Sequence, residues 1–92
     1  MDEIRLTRHA SYRIRNRAIP RLMLDWLLDY GDRVHDHRGA EVLYFGKAAI
    51  RRLERAAGKQ IVDRIGHYRN AYLVLADGLV VTSGYRTKPI KH

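Results

Sequence analysis

Near the start of the chain His9, Arg13 and Arg17 stand four residues apart, and Tyr85, Arg86 and Lys88 cluster near its other end. On a helix the four-residue spacing stacks the first three side chains on one face. An imidazole, guanidiniums and a phenol are groups with which a metal-free site can process phosphodiesters. Transesterification of RNA needs a base for the 2′-hydroxyl, a proton donor for the leaving oxygen and cations for the charge of the phosphorane. His9, close to a helix N-terminus whose dipole disfavours a second positive charge, suits the base. Tyr85 or another group would be the acid, and Arg13, Arg17 and Arg86 the charge stabilisers. The catalytic candidates are therefore His9, Arg13, Arg17, Tyr85 and Arg86. They form a site only if folding brings the two ends of the chain to one cleft.

The surroundings of the ladder are also cationic. Arg5, Arg8 and Arg15 lie beside it, and 18 Lys and Arg against 10 Asp and Glu leave a net charge of +8. Lys47, Lys59, Lys88 and Lys91 are the only lysines, so fourteen of those cations are arginine. Arginine offers bidentate contacts to phosphate and stacks on bases, which lysine does less well. So many like charges on one short segment repel one another unless a polyanion or an acidic protein neutralises them. RNA, DNA or an acidic protein are the partners that this charge favours. Arg5, Arg8, Arg15, Thr82 and Lys88 are the expected nucleic-acid contacts. Aromatic and arginine together at a strand end, as in Tyr85-Arg86, can stack a base and hold a phosphate.

Other chemistries are excluded or find no support. The chain has no cysteine, which removes disulfides, thiolate catalysis and cysteine-ligated metals. His35 and His37 could share a metal, but no third ligand of matching spacing accompanies them, so no metal is expected. Glycine-rich phosphate loops, nucleophile elbows and paired catalytic carboxylates are missing, and no cofactor is called for. The N-terminus lacks a signal-peptide apolar stretch, and no run approaches the roughly 18 apolar residues of a membrane span. A soluble cytoplasmic protein of one domain, residues 1–92, is the expectation.

The elements that must position these groups follow from periodicity. Ile4-Arg5-Leu6 reads as a short edge strand, and Thr7 as the cap of a helix from about Arg8 to Arg17. Leu6, Ala10 and Ile14 share one apolar stripe next to the ladder. Pro20 suits the first position of a second helix, on which Leu22, Met23, Trp26, Leu27 and Tyr30 repeat at helical spacing until Gly31. Residues 33–37 and 41–45 flank Arg38-Gly39 as a hairpin. Lys47 to Ala57 returns to helix, and 60–68 reads as a further short helix despite Gly66. Ala71–Ala76 and Leu79–Ser83 surround Asp77-Gly78, the pair preferred by a type I′ turn. Both strands are apolar throughout, which predicts central strands covered on both faces. Thr87-Lys88-Pro89 reads as a basic tail. The fold class is α+β, an antiparallel sheet of about four strands with two N-terminal helices and one inserted helix.

His9-Ala10, Arg13, Arg17 and Ile19, followed by the helix ending at Gly31, together with the strand Leu79–Ser83 running into Gly84-Tyr85-Arg86, resemble a small bacterial domain grouped with RelE-like toxins. These belong to the barnase–colicin–RelE superfamily of metal-independent ribonucleases. The resemblance covers both ends of the chain, about two-thirds of its length. It implies a compact sheet with two helices across one face and a cleft lined by both termini. It also implies an endoribonuclease of a toxin–antitoxin pair, acting on RNA, often at the ribosome, and neutralised by an acidic antitoxin-like protein. It would act through His9, Arg13, Arg17, Tyr85 and Arg86, with Thr82 as a weaker candidate. The alternatives are a non-catalytic nucleic-acid-binding module on the same basic face, or a degenerate relative acting in protein interaction.

Overall fold

The computed structural model describes residues 4–87; Lys88 lies outside them, as does the rest of the basic tail beyond Thr87. Thr7 is the N-cap of α1 (Arg8–Asn16) and accepts the backbone N–H of Ala10 at 3.1 Å. The same hydroxyl donates to the carbonyl of Val81 at 3.3 Å, so the cap also fastens the helix to the last strand. α1 ends where Ala18 takes a left-handed backbone (φ 51°), uncommon for a residue with a Cβ. This turn drops Ile19 into the core. In α2 (Arg21–Tyr30) Pro20 is the capping residue and not the first helical one. Gly31 ends α2 without a left-handed turn; its backbone is extended, and a Cβ there would stand 2.5 Å from the Leu27 carbonyl oxygen. Close approach, not backbone freedom, selects this glycine.

Four antiparallel strands follow in simple meander order: β1 (Asp32–His35), β2 (Ala40–Tyr44), β3 (Ala71–Ala76) and β4 (Leu79–Tyr85). The expected α+β class and four-stranded sheet are present. Asp77 and Gly78 both have positive φ, as a type I′ turn demands. β2 and β3 are joined by α3 (Lys47–Ala57), α4 (Lys59–Arg64) and a 3₁₀ turn at Gly66–Asn70. The predicted single helix over 60–68 is thus divided, because Gly66 adopts φ 55°. Ile4–Leu6 makes no full strand. It forms one parallel bridge, Leu6 to Val80, with Val80 N–H donating to Arg5 O at 2.9 Å and Thr7 N–H to Val80 O at 3.0 Å. No helix among the described residues is long and apolar enough to cross a membrane.

One core lies between the sheet and the helices. Leu43, Phe45, Ala71, Leu73 and Val80 meet Ala10, Met23, Leu24, Leu27, Ala49, Ile50, Leu53 and Val62. Strand alternation sends the intervening residues to the other face. There Val34, Val42, Tyr72, Val74 and Thr82 are half-buried and none belongs to the core. The expectation that β3 and β4 are central and covered on both faces is corrected. β3 is central and β4 lies at the sheet edge, and the helices pack on one side only. Their apolar character reflects a second sheet face that no core helix among the described residues covers, where Tyr44 is nonetheless buried and the other side chains shield one another.

A bulge decides what β4 shows to each side. Leu75 pairs with Val80 but Val74 with Thr82, leaving Val81 as the extra residue. A one-residue slip reverses every side chain beyond it. Ser83 consequently points inward, fully buried, its hydroxyl donating to Tyr72 O at 2.6 Å. Thr82 and Gly84 go to the uncovered face, and Tyr85 returns to the helix side.

The β1–β2 turn is held by one carboxylate. Asp36 accepts the N–H groups of Arg38 (2.8 Å) and Ala40 (3.0 Å), and these bonds hold its pKa below the ordinary 3.8. A depressed carboxylate contributes stability above its unfolded pKa and loses it as pH falls through the folded value. Hydrogen-exchange protection of the Arg38 and Ala40 amides, normalised for intrinsic rate, is therefore expected to collapse only below pH 3.8. Asp36→Ala should remove that dependence, and protection that ignores acid in the parent protein would refute the assignment.

Candidate nucleic-acid interface

α1 lies along β4 and runs in the same direction, tied at its start by Thr7 to Val80 and Val81 and at its end by Tyr85. The Tyr85 hydroxyl donates to the carbonyl of Ala18 at 3.1 Å. Burial first, and the neighbouring Tyr68 second, push its phenol pKa up. Its ring also sits 5.3 Å from that of His67 and 6.3 Å from that of Tyr68. Tyr85 is a mooring between strand and helix, with its proton already committed to a carbonyl. It positions the residues around it.

That mooring fixes Arg17. A Cβ on Gly84 would stand well inside van der Waals contact of an Arg17 guanidinium nitrogen and 3.1 Å from the Tyr72 hydroxyl. Arg17 therefore reaches from the end of α1 over Gly84, onto the uncovered face, beside Tyr72. Gly84 pairs with Tyr72, and Tyr72 with Tyr44. At the far end of this row the Arg86 guanidinium lies 5.5 Å from the centre of the Tyr44 ring, a cation–π distance. Arg86 also donates through Nη2 to Phe45 O at 3.0 Å, and its backbone N–H bonds Asn70 O at 2.9 Å. Its Nε is buried without a partner among the described residues. The Tyr44 phenol is pushed up, first by burial and then by Asp32, with Arg86 opposing.

Of the five catalytic candidates, Arg17, Tyr85 and Arg86 thus gather at one end of β4. His9 and Arg13 continue the same helical stripe away from it; His9 is two turns back, about 12 Å along the axis at 1.5 Å per residue. Its Nε2 accepts a bond from Arg13 Nε at 3.3 Å. Arg8 and Arg15 fall on a second stripe with Tyr12 between them, and all three are exposed, Tyr12 by 60%. Arg5 is exposed beside the Val80 bridge, and Thr82 sits on the uncovered face. Among the described residues none of Arg8, Arg13, Arg15 and Arg17 meets a carboxylate. The segment from Thr7 to Ile19 contains no acidic residue at all.

Tyr12 and Tyr72 escaped the sequence reading, and Gly84 entered it only as part of the closing motif. Tyr12 had a signal, since it falls midway between Arg8 and Arg15 at helical spacing. Tyr72 and Gly84 could not be matched, because the bulge changes the register. The paired histidines expected on one strand face are separated: β1 stops at His35, which lies 3.8 Å from Glu41, and His37 belongs to the turn. Among the described residues no three His, Asp or Glu side chains cluster as metal ligands.

Comparisons with protein-family models, with curated proteins and with solved structures find no match to this chain.

Proposed function

We propose that this protein binds single-stranded nucleic acid, RNA foremost. The backbone lies along the arginines of α1, and bases rest on Tyr12 and on the uncovered sheet face at Tyr72. The observation that carries this reading is the α1 surface, whose arginines meet no carboxylate among the described residues, joined through Arg17 over Gly84 to Tyr72 on the second sheet face. Interleaved cations and aromatics suit a flexible strand, because phosphates find charge and every base has a face to stack. An acidic protein could occupy the same surface and would compete with RNA.

Ribonuclease action of the RelE-like toxin kind is the second reading, favoured by the His9–Arg13 bond. That bond sets the imidazole within hydrogen-bonding distance of a guanidinium, among cations that would stabilise the charge of a phosphorane. In this reading an acidic antitoxin-like partner covers α1.

Both readings meet in one experiment. Fluorescence anisotropy with a labelled single-stranded RNA is expected to show affinity falling linearly in log–log form with salt, each phosphate neutralised adding about −0.7 to the slope. Binding insensitive to salt would end the proposal. RNA recovered intact from the same samples leaves a binding module. Fragments that vanish with His9→Ala make it an enzyme.

A further inference from the structure

Beyond Arg86 the uncovered face ends in a cleft of about 650 Å³, lined by Arg33, Lys47, Arg69 and Arg86 from four separate parts of the chain. The one carboxylate in its wall, Asp32, is already engaged. Its Oδ1 takes Arg52 Nη2 at 2.7 Å and its Oδ2 the Ala49 N–H at 3.3 Å. Arg33 is shared with Glu41 at 3.4 Å, whereas Lys47 and Arg69 are exposed and meet no carboxylate among the described residues. Lys47 is moreover the first residue of α3, whose opening turn holds no acid. A cation at a helix N-terminus opposes the helix dipole. Two cations with no carboxylate partner among the described residues, a third pinned over Tyr44 and a fourth shared with Glu41 therefore surround one concavity whose single carboxylate is already paired.

Their arrangement differs from that on α1. The helix spaces its cations along a line, about 6 Å per turn-step of four residues, as a polymer backbone requires. The cleft instead converges its cations on a single volume from several directions. A phosphate monoester matches that arrangement, with a charge between about −1.5 and −2 and three terminal oxygens to be met. The two regions are continuous, since Gly84 under Arg17 and Tyr44 under Arg86 lie two strand spacings apart, about 10 Å.

Resting on the nucleic-acid reading above, we propose that this cleft holds the terminal phosphate of the bound strand, so that the protein recognises a phosphorylated end and not only an internal stretch. The strand then runs from the cleft, past Arg86 and Tyr72, to α1.

The test uses three short single-stranded RNAs of one sequence, carrying a 5′-phosphate, a 3′-phosphate or hydroxyls at both ends. Anisotropy titrations at fixed salt are expected to give about tenfold tighter binding for one phosphorylated end. Lys47→Gln/Arg69→Gln should abolish that preference while leaving the affinity for the hydroxyl-ended strand within twofold. Equal binding of all three RNAs overturns the end-recognition proposal and leaves the binding function standing. Preference retained in the double variant also overturns it, because the phosphate is then held elsewhere. If no strand binds, both fall together.

Discussion

Glutamine at Arg8, Arg13, Arg15 and Arg17 together is expected to weaken RNA binding on the order of a hundredfold near physiological salt. The slope of log affinity against log salt should flatten by about 3, from roughly 0.7 per lost phosphate contact. The variant is a clean test because glutamine has nearly the helix propensity of arginine. None of the four side chains meets a carboxylate among the described residues, so no ion pair there is broken. Removing like charges from one helix should hold the melting temperature or raise it. Affinity within threefold of the parent, with an unchanged slope, would show that α1 is not where the polyanion lies.

Gly46→Ala is expected to destabilise the fold by about 1–3 kcal/mol, although the backbone at this position suits any residue. The added Cβ would run into Oδ2 of Asp32 and stand 3.0 Å from the Tyr44 ring. Asp32 cannot simply swing aside. It accepts the Ala49 N–H as a remote cap for α3 and pairs with Arg52, whose Nε also donates to Tyr30 O at 3.0 Å. Displacing it forfeits a helix cap, worth about 0.5–2 kcal/mol, and a partly exposed ion pair worth up to about 1 kcal/mol. For a domain of this length each kcal/mol lowers the melting temperature by about 4–8 °C, so thermal unfolding reads the effect directly. Asp32→Ala should itself be destabilising, yet adding Gly46→Ala to it should cost little, since the clash has gone. Additive losses in that double-mutant cycle would place the cause elsewhere.

Local rules written in single residues were legible. Thr7 caps α1, Asp77-Gly78 turns the last hairpin, and Lys47 to Ala57 forms the third helix, because each depends on neighbours in the chain. Gly31 marked the end of α2 correctly while its reason differed. Leu22 shows where periodicity misleads: it lies in the apolar pattern of α2, yet half of it is exposed, since Met23, Leu24 and Leu27 face the sheet. The strands misled more. Apolar runs in β3 and β4 suggested cover on both sides, but a run of valine and tyrosine also suits a bare sheet face.

The candidate site was legible in its members more than in its geometry. Arg17, Tyr85 and Arg86 lie at one end of β4, yet Arg17 reaches the second sheet face, Tyr85 turns to the helix side and Arg86 sits over Tyr44, two strands from Gly84. Tyr85, assigned to proton transfer by its type, spends its hydroxyl on Ala18, a partner 67 residues away that no spacing reveals. His9 and Arg17 share a stripe, but the stripe is long compared with a nucleotide-sized centre. The bulge at Val81 has no marker in the sequence, and it alone puts Thr82 and Gly84 outside and Ser83 inside.

The fastening of α1 to β4 has a consequence for biosynthesis. The ribosome delivers the arginine helix early, but its dock is the final strand, more than sixty residues later. Until that strand emerges, the helix has no partner along its flank, and Arg17 has no glycine to lie across. The cationic surface is therefore assembled as a late folding event, so on the proposed function a nascent chain would not yet grip RNA as the finished fold does.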